Sequence, residues 1–238
     1  MKERKKRVIE LEGIKAVLWD LDDTLYSRVE AARATFPGMF RELLYPGRCE
    51  EYISQAVEYM MSRVRRWSMV SEDAFSELLL KYPSDRPYSR EACLDYYYSH
   101  ITDYAKPNDG AVRVMRELSG RGIKNAVVTN MYKERAPIQR EKIEAIGIAS
   151  LLDAVVISGE VGLRKPEREI YDLTARMLGV KNYECIFVGD DPDSDIKGAL
   201  GAGMRAVWIN TWGLTADFCG AVDEISSADE LPGSFGFE

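Results

Sequence analysis

Histidine occurs once in this chain of 238 residues, as His100, and the four cysteines, Cys49, Cys93, Cys185 and Cys219, are scattered. No C-x-x-C pair and no histidine–cysteine cluster is present, which excludes a zinc site built on those ligands. The cysteines read as reduced core or surface thiols, and His100 as a surface or packing residue. No apolar run approaches the roughly 20 residues needed to span a bilayer. An excess of positive charge is missing too: the formal net charge is -7, whereas a nucleic-acid or membrane binder would want a basic surface. Met1 to Arg7 is basic, yet no apolar signal-peptide segment follows, so it reads as a solvated tail. With no N-x-Ser/Thr acceptor either, the expectation is a soluble cytoplasmic protein, monomer or homodimer, with no nucleic-acid or membrane partner.

Several ligand loops are absent as well. Asp191-x-Asp193-x-Asp195 imitates the start of an EF-hand, but Ile196 and Ala202 stand where that loop needs Gly and Glu. Gly198-x-x-Gly201-x-Gly203 carries its spacing in the reverse order to a dinucleotide fingerprint, and there is no G-x-x-x-x-G-K-[ST] loop.

What is present is 46% apolar residues, ordinary for a buried core, in short runs. Five of them, Lys15 to Asp20, Lys124 to Thr129, Asp153 to Ser158, Glu184 to Gly189 and Arg205 to Asn210, are nearly continuous in hydrophobicity, as strands buried on both faces should be. Helical patterns lie between the later ones, at about 109–120, 134–146, 167–178 and 194–202, with Gly120, Gly147, Gly179 and Gly203 placed as stops. Alternation of strand and helix predicts an α/β fold with a doubly wound, Rossmann-like parallel sheet. The interval from Ser27 to Lys106 breaks the alternation and is far too long for a βα loop. It holds amphipathic segments, broken by Pro37, by Pro46-Gly47 and by Pro83 to Pro87, and is expected to be an inserted helical subdomain. The expected domains are 1–26 with 106–238 as the α/β core, and 27–105 as the insert. Nine of the 13 tyrosines fall between Tyr45 and Tyr104; Tyr52 and Tyr59 share a helix face, and core packing of the insert is the favoured reading over a substrate pocket.

Ligands of such sheets bind beyond the carboxyl ends of the strands. Asp20, Thr129 and Asp190 fall there, and the run Ala16-Val17-Leu18-Trp19-Asp20-Leu21-Asp22-Asp23-Thr24 places two carboxylates at i and i+2. Were the ligand a phosphate dianion, a carboxylate attacking it would work against about 4 kcal/mol of repulsion per charge at 4 Å and an effective dielectric of 20, roughly 8 in all. A hard divalent cation on oxygen ligands, and a fixed lysine, would offset it.

In order, Asp20-Leu21-Asp22-Asp23-Thr24, Val127-Val128-Thr129-Asn130, Lys165-Pro166 and Phe187-Val188-Gly189-Asp190-Asp191 with Asp195 resemble the four motifs of the haloacid dehalogenase-like (HAD) superfamily. An insert directly after the first motif is similar to the helical cap of that superfamily. The resemblance implies a magnesium-dependent phosphatase acting on a small phosphorylated metabolite. Asp20 would be nucleophile and metal ligand, and Asp22 would ligate through its carbonyl and serve as general acid and base. Thr129 and the Asn130 amide would hold phosphoryl oxygens, and Lys165 would neutralise charge. Asp190 would complete the metal shell and Asp195 brace it; Asp190, Asp191, Asp193 and Asp195 are all candidates at this motif, with either Asp191 or Asp195 as the second carboxylate. It also implies that the strands leading to Asp20 and Asp190 are neighbours. Asp22 speaks against a true dehalogenase, which lacks it. The scarcity of lysine in the insert, where Lys81 is the one clear candidate, speaks against a phosphonatase. A sugar-phosphate mutase or other phosphotransferase stays open, as does a non-catalytic phospho-acceptor or binding module. Arg63, Arg65 and Arg66 read as solvated charges rather than substrate contacts. Lys165-Pro166-Glu167-Arg168 departs from the Asp-Pro common after the third motif.

Overall fold

A computed structural model describes residues 8–63, 71–218 and 222–237. The chain divides into two compact units, Met1–Ser27 with Pro107–Glu238, and Arg28–Lys106. In chain order the elements are β1 (Ala16–Trp19); α1 (Arg28–Met39), α2 (Glu50–Arg63), α3 (Glu72–Lys81) and α4 (Arg90–His100); then α5 (Asp109–Gly120), β2 (Lys124–Thr129), α6 (Ala136–Ala145), β3 (Ala154–Ile157), α7 (Ser158–Val161), α8 (Arg168–Leu178), β4 (Cys185–Gly189), α9 (Gly198–Ala202), β5 (Arg205–Ile209), β6 (Val222–Ile225) and α10 (Leu231–Ser234).

The larger unit is a doubly wound sheet of order β3-β2-β1-β4-β5-β6, parallel throughout. β1 runs between β2 and β4, Trp19 lying opposite Val127 and Val188. Strands so placed have both faces to cover. Ala16, Leu18, Ala126, Val128, Val156 and Phe187 pack on one face with Ile170, Tyr171 and Ala175 of α8 and Ala199 of α9. The other face carries Val17, Trp19 and Val127, all fully buried. There the Trp19 indole donates to Asn125 Oδ1 at 2.9 Å, while Asn125 Nδ2 donates to Met115 O and Ser119 Oγ at 3.0 Å each, joining β1 and β2 to α5. A polar side chain inside β2 is tolerable because its donors and acceptor are matched. Each large apolar side chain so buried is worth about 1.5–3 kcal/mol, enough to hold β1 rigidly up to Asp20, whose amide still bonds Val188 O at 2.9 Å.

β6 is a strand that the apolar runs do not announce. Val222–Ile225 is half-buried and carries Asp223 and Glu224, as an edge strand can. The stop after α5 falls at Gly122, whose φ of 74° needs a glycine, rather than at Gly120. The expected helix at 194–202 is a π-type turn, Pro192–Lys197, running into α9: the amides of Asp195 and Ile196 both donate to Asp191 O, at 3.0 and 3.1 Å.

The smaller unit is helical. Pro37 does not break it, because α1 continues to Met39 and leads into a π-type turn at Phe40–Leu44. Proline removes one backbone donor, and burial of Phe36, Met39 and Phe40 on either side outweighs that loss. Tyr82 packs on Tyr52 at 5.4 Å and on Tyr59 at 5.8 Å between ring centroids, so this tyrosine face is internal packing. Lys81 Nζ lies 4.4 Å from the Tyr59 ring centroid. Arg63 pairs with Glu77 at 3.2 Å, and His100 stacks on Tyr96 at 4.0 Å. Arg65, Arg66, Cys219 and the basic tail lie outside the described residues. Cys49, Cys93 and Cys185 are free thiols, and among the described residues no helix is long and apolar enough to cross a membrane.

Candidate active site

Three strand ends and two loops of the larger unit build the site. Asp20 follows β1 directly, Thr129 closes β2 and Asp190 follows β4; all three are buried. The chain then turns sharply at Asp23, which has φ 63°, a left-handed conformation that aspartate tolerates better than most residues. Lys165, on the loop before α8, is 3% exposed, a level lysine reaches only when paired. Its Nζ lies 2.5 Å from Asp20 Oδ1 and 2.7 Å from Asp195 Oδ1. The loop is fixed from the other side, since Asn130 Oδ1 accepts from Lys165 N at 2.9 Å and Asn130 Nδ2 donates to Lys165 O at 3.0 Å.

Among the described residues Asp20, Asp190 and Asp195 bring carboxylate oxygens within 4.8 Å of one another. An all-oxygen, carboxylate set in a buried place suits a hard divalent cation. Asp191 is placed differently. Its Oδ1 accepts from the amides of Asp193 and Ser194 at 2.8 and 2.9 Å, capping the turn, while its own amide donates to Asp195 Oδ2 at 3.0 Å. Burial raises the pKa of Asp191 against those donors.

Burial pushes Asp20 up to about 7; Lys165 pulls it down, and the Asp195 and Asp22 carboxylates push it further up. For Lys165 burial works downward, but Asp195 and Asp20 outweigh it and the net direction is up. A carboxyl whose pKa rises from 3.8 in the open chain to about 7 in the fold favours the folded state fully below pH 4. It loses that contribution as pH rises through 7. In EDTA the melting temperature should therefore fall between pH 5.5 and pH 8, less so in Asp20→Asn, and excess magnesium at pH 8 should restore it. A flat or rising profile in EDTA would contradict this placement of Asp20.

Asp22 stands apart from the carboxylate cluster. Lys142 Nζ reaches its Oδ1 at 2.7 Å, the Tyr26 hydroxyl donates to that same oxygen, and Gln139 Nε2 reaches Oδ2 at 2.7 Å. Gln139 and Lys142, on α6, are not evident from the sequence. The available signal is an amide and an ammonium, at i and i+3, beside the buried positions Ala136 and Ile143, easily read as a lysine snorkelling from a helix face.

A buried carboxylate and lysine at the switch side of a doubly wound sheet define an α/β protein whose ligand chemistry lies at the strand ends. The chain belongs to the haloacid dehalogenase-like hydrolase family, whose model matches residues 14–203. It is 34% identical over 199 residues to a glyceraldehyde 3-phosphate phosphatase of Methanopyrus kandleri, covering 82% of this chain and 84% of that one. It is 29% identical to the N-acylneuraminate-9-phosphatase of Homo sapiens, covering 93% and 94%. Among solved structures, the HAD hydrolase YfnB of Bacillus subtilis shares the fold with a TM-score of 0.71 at 19% identity, over 94% of this chain and 99% of that one.

Proposed function

We propose that this protein is a magnesium-dependent phosphatase that hydrolyses a small phosphorylated metabolite through an aspartyl-phosphate on Asp20. The observation that carries the proposal is the buried Asp20 carboxylate at the end of β1, paired with Lys165 at 2.5 Å and grouped with Asp190 and Asp195. The curated relatives, phosphatases of glyceraldehyde 3-phosphate, phosphoserine and N-acylneuraminate 9-phosphate, differ in substrate but agree in the bond they cleave. The smaller helical unit is the part assigned to choosing among substrates.

An Asp20 oxygen attacks phosphorus, the bond to the ester oxygen breaks, and that oxygen takes a proton from Asp22. Asp22 then takes a proton from water as the water attacks the phosphoenzyme, releasing inorganic phosphate and the Asp20 carboxylate. The Thr129 hydroxyl and the Asn130 amide hold phosphoryl oxygens, the Asn130 side chain being committed to the Lys165 loop. Asp20, Asp190 and the Asp22 carbonyl would hold magnesium, which when bound supplies positive charge against the phosphoryl oxygens. Asp195 is the further carboxylate behind them, bound to Lys165, and Asp191 is a turn cap.

Release of inorganic phosphate from p-nitrophenyl phosphate and a panel of phosphorylated sugars, sugar acids and amino acids tests the proposal. Magnesium-dependent release from at least one small monoester is expected; no release from any would overturn it. The role of Asp22 has its own test. An alkyl leaving oxygen needs a proton and p-nitrophenolate hardly does. Asp22→Asn should therefore slow phosphoenzyme formation from glycerol phosphate by about 10²-fold or more, with a much smaller loss on p-nitrophenyl phosphate. Single-turnover rates measure this step apart from hydrolysis of the phosphoenzyme. Equal losses on both substrates would remove Asp22 from proton transfer.

A further inference from the structure

Gln139 and Lys142 are 0% and 2% exposed, and the chemistry assigned above uses neither. Gln139 Nε2 lies 2.7 Å from Asp22 Oδ2 and 2.7 Å from Thr129 Oγ1. An amide nitrogen carries two protons and no acceptor, so both oxygens accept from it. With Asp22 ionised, as its pairing with Lys142 at 2.7 Å requires, turning the amide over would set Oε1 against the carboxylate, two acceptors face to face. In the present setting Oε1 has no hydrogen-bond partner among the described residues, so the donors alone fix the amide. The consequence for Thr129 is specific: its oxygen accepts from Gln139, and its own proton is left to be donated elsewhere. Asp22 is held from its other oxygen by Lys142 and Tyr26, with the Lys142 ammonium 5.3 Å from the Tyr26 ring centroid.

We propose that Gln139 and Lys142 are positioning residues of the hydrolytic reaction. Gln139 joins the phosphoryl-binding hydroxyl of Thr129 to the proton-transferring carboxylate of Asp22, and Lys142 with Tyr26 fixes that carboxylate from its other side. This rests on the roles given above to Asp22 and Thr129. Its physical basis is that Asp22 sits on a turn, and turns hold a side chain less sharply than a helix does. Two donors from α6 supply rigid support that the turn cannot, and a misplacement of about 1 Å in a reacting group costs about 10²-fold in rate.

If the cluster were only a fold-stabilising network, losing it would lower the melting temperature and scale all rates together. A double-mutant cycle separates the two cases. Gln139→Met, close in volume and without donors, is made in the wild-type and Asp22→Asn chains, and single-turnover phosphoenzyme formation is measured with glycerol phosphate and with p-nitrophenyl phosphate in saturating magnesium. In the wild-type chain the loss on glycerol phosphate should exceed that on p-nitrophenyl phosphate by about 10-fold or more. In the Asp22→Asn chain that difference should shrink to less than about 3-fold, because a residue acting through Asp22 has nothing left to position. Lys142→Met should behave like Gln139→Met, and Lys142→Arg should recover part of the loss. If Gln139→Met does not fold, Tyr26→Phe, which deletes one hydroxyl, carries the same cycle.

Equal losses on both substrates, multiplying in full on top of Asp22→Asn, would overturn the positioning role while leaving Asp22 as the acid. If Asp22→Asn alone shows no leaving-group dependence, the proton-transfer reading itself fails, and the positioning of Asp22 falls with it.

Discussion

Asp20→Asn should lower phosphate release by on the order of 10³-fold or more, because it removes the attacking group rather than one supporting contact. The amide is close to isosteric, and it relieves rather than creates burial of charge: in the fold the Asp20 carboxyl is already pushed up to about 7 by its surroundings. The variant should thus fold and bind a phosphorylated substrate while failing to turn it over. Lys165 would keep Asp195 as its partner at 2.7 Å, so the buried ammonium is not left without a counter-charge. Steady-state phosphate release, with circular dichroism to check folding, measures the effect. A rate within about tenfold of wild type would place the nucleophile elsewhere.

Removal of divalent cations should have an effect of similar size. Asp20, Asp190 and Asp195 gather three carboxylates around one place, and Lys165 is bonded to two of them. Each uncompensated unit charge about 4 Å from the incoming phosphoryl group costs about 4 kcal/mol at an effective dielectric of 20, or about 10³ in rate. Phosphate release should therefore cease in excess EDTA and return with magnesium or manganese. Calcium, with its larger and looser shell, should restore it poorly or inhibit. Full turnover in EDTA would contradict the metal assignment.

The positions at the sheet ends are legible in the sequence because strands buried on both faces are short, continuous apolar runs, and Asp20, Thr129 and Asp190 mark where such runs stop. The order of the strands is not legible from those runs. Adjacency of β1 and β4 follows from the family resemblance and is seen in the pairing of Trp19 with Val188. β6 escapes because Asp223 and Glu224 interrupt its pattern. The choice between Asp191 and Asp195 escapes for another reason. Both follow Asp190 within a few residues, and only the turn geometry shows one capping the backbone and the other bonded to Lys165. Gln139 and Lys142 escape because a helical stripe gives a residue's face but not what lies opposite it. Their shared partner Asp22 is 117 residues from Gln139 and 120 from Lys142, and Thr129, only 10 residues from Gln139, lies on a different element, β2.

The proposed covalent intermediate can be sought directly. Enzyme and a reactive phosphate monoester, mixed in magnesium and acid-quenched within a single turnover, can be digested and read by mass spectrometry, peptide by peptide. A phosphoryl adduct is expected on the peptide carrying Asp20. It should form and decay at rates that account for turnover, accumulate in Asp22→Asn, where its hydrolysis is slowed, and be absent from Asp20→Asn. Turnover without any adduct on Asp20, or an adduct on another residue that persists in Asp20→Asn, would contradict nucleophilic catalysis by this aspartate.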